Sequence, residues 1–169
     1  MTNYFFSALV IDSGPYERLQ IVSLALVNEL GEAYYSESRE YDIRLAPEAQ
    51  RTAIPHNVDQ TNPKSLETIA QEAQAFVGHR WPTFWGWNGA QEFTAFYQLF
   101  FKIGLPDTWP RHFHELEVEL DRDGNPRPPR MDEMSDNHHA LDNARWIRET
   151  YIWLQDRRLY AHIDEPPDI

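Results

Sequence analysis

The chain has 169 residues, no cysteine and a formal net charge of −12. Its length predicts one domain with a sizeable core, and the lack of cysteine excludes disulfide bonds and thiolate metal sites. No apolar run reaches the ~20 residues of a membrane span, no basic segment opens a signal peptide, and the acidic balance argues against tight nonspecific binding to nucleic acid. The charge is equally consistent with a role in solubility, and a cytoplasmic location fits these features.

The first forty residues predict three strands in a meander. Aromatic and β-branched residues favour a strand over 4–11, which leads to Asp12 and a turn at 13–15. A second, mostly apolar strand is expected over 20–28 and a third over 33–38, joined by a short hairpin connection. These strands would open a sheet.

Prolines and glycines divide the middle of the chain. Residues 42–62 are predicted to be irregular, because Pro47 and Pro55 interrupt any long helix. The elements expected after this segment are a helix that begins at Asn62-Pro63 and ends at Gly78, a strand over 83–87 and a helix over 90–103. The middle of the chain therefore adds two helices and one strand.

The last third of the chain ends in one long helix. Residues 113–120 fit either a short helix or a strand, and 121–129 predict an exposed loop. Ser135 is a candidate N-cap for a helix that ends at Leu154. The expected organisation is one α/β domain over 1–154, a mixed β-sheet flanked by helices, with an acidic C-terminal arm over 155–169.

Three motifs carry the chemistry, in a fixed order along the chain. Asp12 ends the first strand, the run Trp85-Gly86-Trp87-Asn88-Gly89-Ala90 precedes Glu92, and His138 opens a segment that ends at Arg145. Together with the hairpin at 31–35 and residues 126–131, they resemble the DEDDh family of 3′–5′ exonucleases. The likeness is greatest to small bacterial exoribonucleases of the polyadenylate-specific type. The resemblance covers about 4–154 and implies an RNase H-like fold.

The resemblance implies a site for two divalent cations, Mg²⁺ or Mn²⁺. Paired metals about 3.5–4 Å apart stabilise both oxygens of phosphodiester cleavage, and they require hard oxygen ligands. Asp12 and Glu92 match two of the four family carboxylates, and His138 matches the general base. Gly14 and Asn143 stand where the family has Glu and Asp. Half of the negative oxygens of the metal site are thus expected to be missing.

Two functional hypotheses follow from this loss. The first is a catalytically degenerate domain, without bound metal, that binds a protein partner or the 3′ end of single-stranded RNA. The second is an active exoribonuclease in which Glu17 or Asp142 completes the site, although Asp142 is rotated by ~100° from Asn143 on a helix. A decoy whose acidic surface imitates phosphate is a third and weaker idea. The resemblance also implies a homodimer.

Other residues have competing interpretations. Trp87 and Asn88 are candidates for substrate binding, because bases stack on aromatic rings, whereas core packing is the default for Trp87. His112 and His114 have a metal-like spacing, but no third ligand is evident nearby. No metal is therefore predicted at the two histidines.

Overall fold

The structure is a computed structural model that describes residues 2–12, 19–78, 81–87, 89–125 and 139–161. The strands in these ranges are β1 (Thr2–Ile11), β2 (Gln20–Asn28), β3 (Ala33–Glu37), β4 (Pro82–Gly86) and β5 (His114–Glu115). The α-helices are α1 (Glu48–Asn57), α2 (Leu66–Val77), α3 (Ala90–Leu99), α4 (Leu116–Arg122) and α5 (Ala140–Ala161).

The strands form one mixed sheet with the order β3-β2-β1-β4-β5. The pairs β1–β2 and β2–β3 are antiparallel, whereas β1–β4 and β4–β5 are parallel. β4 pairs with β1 only from Thr2 to Phe5, so no strand of the described ranges pairs with the second half of β1 on that side. The predicted fold class, a mixed sheet flanked by helices in one domain, is confirmed.

Both faces of the central strand β1 are buried. Tyr4, Phe6, Ala8 and Val10 join the core cluster that contains α2 and α3. On the opposite face, Phe5 packs with α5, and Leu9 and Ile11 pack with Ile54 of α1. Because successive side chains of a strand alternate between faces, β1 requires apolar residues at nearly every position.

The prediction of an irregular segment over 42–62 is wrong, because α1 lies within it. Pro47 is the N-cap residue of α1, where its missing N–H costs no helical hydrogen bond. Pro55 lies in the last turn and removes one bond near the helix end. Burial of Ile54 and a 3.3 Å hydrogen bond from Gln50 Nε2 to the Val10 carbonyl hold the helix against the sheet.

Two helix ends differ from the prediction. α2 begins at Leu66 rather than at Asn62-Pro63, because Lys64 forms a parallel β-bridge with Ser38 and keeps that segment extended. Ser65 is its N-cap residue, and its hydroxyl accepts a hydrogen bond from the N–H of Thr68. α3 ends at Leu99 rather than at residue 103, since the chain turns at Phe100.

The segment 113–120, which fitted either a helix or a strand, contains both β5 and the first turns of α4. α5 continues past Leu154, where this helix was predicted to end. Arg158 donates hydrogen bonds to Glu119 of α4 at 2.8 Å and to Asp123 at 2.5 Å, which anchors the end of α5. Residues 155–161 therefore belong to the helix, and 162–169 lie outside the described residues.

None of the helices in the described ranges is long and apolar enough to cross a membrane.

Candidate functional site

Glu92 lies in the first turn of α3 and reaches the middle of β1. Its Oε2 accepts a hydrogen bond from the backbone N–H of Ala8 at 2.9 Å, and the Ser7 hydroxyl also hydrogen-bonds to this carboxylate. β4 no longer pairs with β1 at this level. Glu92 therefore satisfies a backbone donor that the sheet leaves without a strand partner, which gives it a structural role irrespective of any ligand.

The environment of Glu92 favours its neutral form. Burial raises the pKa of its carboxyl to about 7, and the nearby charge of Glu115 acts in the same direction, against the hydrogen bonds from Ala8 and Ser7. Glu115 itself accepts a hydrogen bond from the N–H of Gly89 at 3.3 Å. A substantial fraction of Glu92 is thus protonated at neutral pH when no cation is bound.

Asp12 contacts a different residue of the same helical turn. Its Oδ2 accepts a hydrogen bond from Gln91 Nε2 at 2.8 Å. Gln91 and Glu92 project about 100° apart on the helix, and Ala8, which Glu92 contacts, is four residues or about 13 Å of strand from Asp12. The structure therefore directs Asp12 and Glu92 to separate contacts along β1.

Sequence reasoning overlooked Ser7 and Glu115, which both act on the Glu92 carboxyl. Ser7 is 2% exposed and lies between Phe5, which packs with α5, and Leu9, which packs with α1, while its hydroxyl reaches Glu92 of α3. Ser7 is not acidic, so a search of the sequence for carboxylates passed over it. Glu115 approaches α3 because β5 pairs with Gly86, a long-range contact without a local sequence signal.

The start of α5 holds the remaining candidates. Asn143 is half-buried, and its backbone N–H donates to the carbonyl of His139 at 3.1 Å. The side chain of Asp142 is 57% exposed and lies 3.5 Å from His139 Nδ1 and 3.9 Å from Arg145. The ring of His139 lies 4.9 Å from that of Tyr35 on β3. Asp142 is thus engaged by residues of its own helical turn.

Trp87 packs against α5. Its ring meets that of Trp146 in a T-shaped contact with centroids 4.7 Å apart, which is the packing interpretation given above as the default. Four further candidates, Gly14, Glu17, Asn88 and His138, lie outside the described residues.

The fit of a divalent metal pair depends on how many anionic oxygens converge. In the described part of the chain, no group of three or more histidine, aspartate or glutamate side chains is placed to hold a metal ion. The carboxylate of Glu92 already accepts protein hydrogen bonds, and Asn143 carries no charge. Among the described residues, Glu92 and Asn143 therefore supply fewer anionic oxygens than the four-carboxylate site that two Mg²⁺ or Mn²⁺ ions require.

Comparisons with known proteins identify relatives by sequence and by shape. No protein-family model matches the chain. It is 32% identical over 151 residues to the 3′–5′ exoribonucleases of two Mycobacterium tuberculosis strains, which covers 84% of this chain and 86% of each relative.

Among solved structures, the zinc-bound complex of Escherichia coli exonuclease I with single-stranded DNA has a TM-score of 0.68 and 14% identity. Exonuclease I of Methylocaldum szegediense has a TM-score of 0.64 and 12% identity. These matches cover 95% and 92% of this chain, which spans 42% and 40% of the two exonuclease chains. The likeness shows an RNase H-like fold.

Proposed function

The chain belongs to the family of these mycobacterial 3′–5′ exoribonucleases, and from this membership we propose that it is a DEDDh-type domain that no longer cleaves. In this proposal it binds the 3′ end of single-stranded RNA and holds no pair of catalytic metal ions. Its relatives are named for cleavage of RNA, so RNA is the ligand that the membership favours.

The observation that carries the proposal is the surroundings of Glu92. A carboxylate in a two-metal site faces several other carboxylates, whereas Glu92 accepts hydrogen bonds from the Ser7 hydroxyl and the Ala8 N–H. Both of these groups are uncharged donors, and the nearby negative charge comes from Glu115. This arrangement supports the interpretation that the Glu92 carboxylate stabilises the core and does not bind metal.

The same contact suggests which residues replaced the lost ligands. If Glu92 occupies the mid-chain ligand position, Ser7, rather than Asp12, stands opposite it on β1. The family's second carboxylate follows two residues later, on the same face of the strand, and Leu9 is there. With Asn143, three of the four metal positions would then be uncharged. If Asp12 and Gly14 were the two positions on the first strand, only two of the four would be uncharged.

A cleavage assay tests the loss of activity. Single-stranded RNA labelled at either its 3′ or its 5′ end is incubated with the protein in Mg²⁺ or Mn²⁺, beside a Glu92→Gln variant. We expect no shortening above that of the variant. Progressive shortening that disappears in Glu92→Gln, or in Asp12→Ala, would support the alternative of an active enzyme with a rearranged acidic site and overturn the proposal.

A restoration experiment tests the positions. Ser7→Asp with Asn143→Asp should gain binding of Mn²⁺, measured by calorimetry and by a rise in melting temperature on addition of the ion. The matched variant Gly14→Glu with Asn143→Asp should gain none. If only the Gly14→Glu, Asn143→Asp variant gained Mn²⁺ binding, the two ligand positions of the first strand would be Asp12 and Gly14. Leu9 is left unchanged at first so that only one new charge is buried on β1, since Ser7 and Leu9 are both buried and each added charge would cost several kcal/mol without a bound ion.

The homodimer implied by the family resemblance remains a prediction, which sedimentation equilibrium tests. A monomer at concentrations up to 100-fold above those of the binding assays would contradict it.

A further inference from the structure

A groove of about 320 Å³ lies where β4 begins. Glu92 lies elsewhere, in α3, beyond the carboxyl end of the same strand. The groove lining includes Trp81, Thr83, Pro110, Arg111, His112 and His114. Its volume falls within the ~300–1,000 Å³ that is usual for ligand pockets, so it is large enough for one small ligand or one unit of a polymer.

The charge of the groove differs from that of the whole chain. Acidic residues outnumber lysine and arginine by 27 to 15 in the sequence, yet none of the described residues that line the groove is acidic, and one of them is the exposed Arg111. The groove therefore offers an anion a local cation on a protein whose net charge would otherwise repel it.

Aromatic rings form much of the groove surface. Trp81 is 63% exposed, which is unusual for an indole without a ligand or partner. The rings of His112 and His114 lie 5.7 Å apart, and His114 stacks on Trp85 with centroids 4.7 Å apart. An accessible ring beside a cation is the combination with which proteins bind single-stranded nucleic acid.

The walls of the groove are fixed by hydrogen bonds to other elements. Trp85 Nε1 donates to Asn3 Oδ1 at 2.9 Å and orients the ring that supports His114. Two hydrogen bonds fix the segment that precedes Arg111. Trp109 Nε1 donates to the Gly78 carbonyl at 3.0 Å, and the Tyr97 hydroxyl donates to the Pro110 carbonyl. Such a surface needs little ordering when a ligand binds.

From these features we infer that the groove binds one nucleotide of a single-stranded RNA, with its base on Trp81 and a neighbouring phosphate on Arg111. The inference rests on the proposed function in taking RNA as the ligand, and it does not depend on whether the chain cleaves RNA. It adds a second contact to RNA, at the opposite end of β4 from Glu92.

A peptide strand is a less suitable occupant. β5 covers β4 at Trp85 and Gly86, which leaves three residues, 82–84, along the described edge of the sheet. The first of them is Pro82, which has no N–H to donate to an added strand. Strand addition draws its affinity from main-chain hydrogen bonds, and this edge supplies few of them.

The test measures binding of a 5′-labelled 12-nucleotide oligoadenylate RNA by fluorescence anisotropy at several salt concentrations. EDTA is present, so that cleavage cannot affect the result. Trp81→Ala should weaken binding by about tenfold without a change in salt dependence, because base stacking contributes ~1–3 kcal/mol. Arg111→Ala should weaken binding and also reduce the slope of log K against log salt by about 0.7, the loss of one phosphate contact on a single strand.

The control variants change similar side chains elsewhere. Leu30→Ala removes a side chain that is 84% exposed at the β2–β3 turn, and Arg51→Ala removes an exposed charge from α1. Both should bind RNA within twofold of the unmodified chain. Circular dichroism and melting temperature establish that the groove variants are folded.

Each contrary outcome has a distinct meaning. If the unmodified chain binds RNA but both groove variants bind equally well, the groove inference is wrong and the proposed function stands. If the unmodified chain binds no RNA, both fail. Competition by AMP alone as strong as that by the oligomer would assign the groove to a free nucleotide, and competition by polyglutamate but not by AMP would assign it to an acidic peptide. Either result would overturn the inference.

Discussion

Replacement of Glu92 by glutamine should change how stability depends on pH. The carboxyl has a pKa of about 7 in the folded protein, raised by burial from an ordinary 4.5. Its ionisation therefore costs about 3 kcal/mol more in the folded than in the unfolded chain. Because the folded pKa is the higher one, the stability linked to the neutral form is fully present below pH 4.5 and is lost as the pH rises through 7.

Glutamine keeps an oxygen that can accept from Ala8 and carries no charge at any pH. Glu92→Gln should thus have nearly the same stability as the unmodified chain near pH 4.5 and be more stable by up to about 3 kcal/mol at pH 8. Urea unfolding in EDTA between pH 4.5 and 8.5 measures the difference. Glu67→Gln, at an exposed position in the first turn of α2, is the control and should show a difference that is constant above pH 6.

Two results would refute this reasoning. A difference between Glu92→Gln and the unmodified chain that does not vary from pH 5 to pH 8 would mean that burial does not hold the carboxyl neutral. A variant that is less stable at pH 8 would mean that the charged form is stabilised in the folded protein, as it would be beside a cation.

Four further substitutions test the packing and hydrogen bonds of the fold by urea unfolding. Gly86→Ala would place a Cβ 2.9 Å from the Phe6 ring and should lower the free energy of unfolding by about 1–3 kcal/mol. In Gly89→Ala the Cβ would lie 3.7 Å from the same ring, and the loss should be less than 1 kcal/mol. Equal losses would argue against the close approach at Gly86. Ser65→Ala removes the N-cap of α2 and should cost about 1 kcal/mol, and no loss would contradict the cap. Glu37→Ala leaves two backbone N–H groups and a tyrosine hydroxyl without their acceptor and should cost about 3 kcal/mol, so a change below 1 kcal/mol would be inconsistent with this network.

The strands were accessible from the sequence because their signals are local. Residues 20–28 form β2 as predicted, since a mostly apolar run bounded by turn residues has few alternatives. The helix α1 could not be predicted from the sequence, because Pro55 is a strong local signal against a helix. Burial of Ile54 outweighs that signal in the folded chain. The order β3-β2-β1-β4-β5 required the three-dimensional structure.

The candidate site could be predicted from the sequence only in part, because some of its contacts are not local. Glu92 could be found because it follows a recognisable strand and opens a helix. Its partners on β1 depend on how α3 docks against the sheet, and this docking places Ser7 rather than Asp12 within hydrogen-bond distance. An acidic residue near the end of a strand is a weak guide to position, because strand-end aspartates also occur in ordinary turns.

The proposed function requires that this scaffold does not hold a pair of divalent ions. Crystals of the unmodified protein soaked in Mn²⁺ at pH 8, where Glu92 is mainly ionised, test it most directly through the anomalous scattering of manganese. We expect no pair of ordered ions beside Glu92. Two anomalous peaks about 3.5–4 Å apart, bound by Glu92 and other carboxylates, would contradict it.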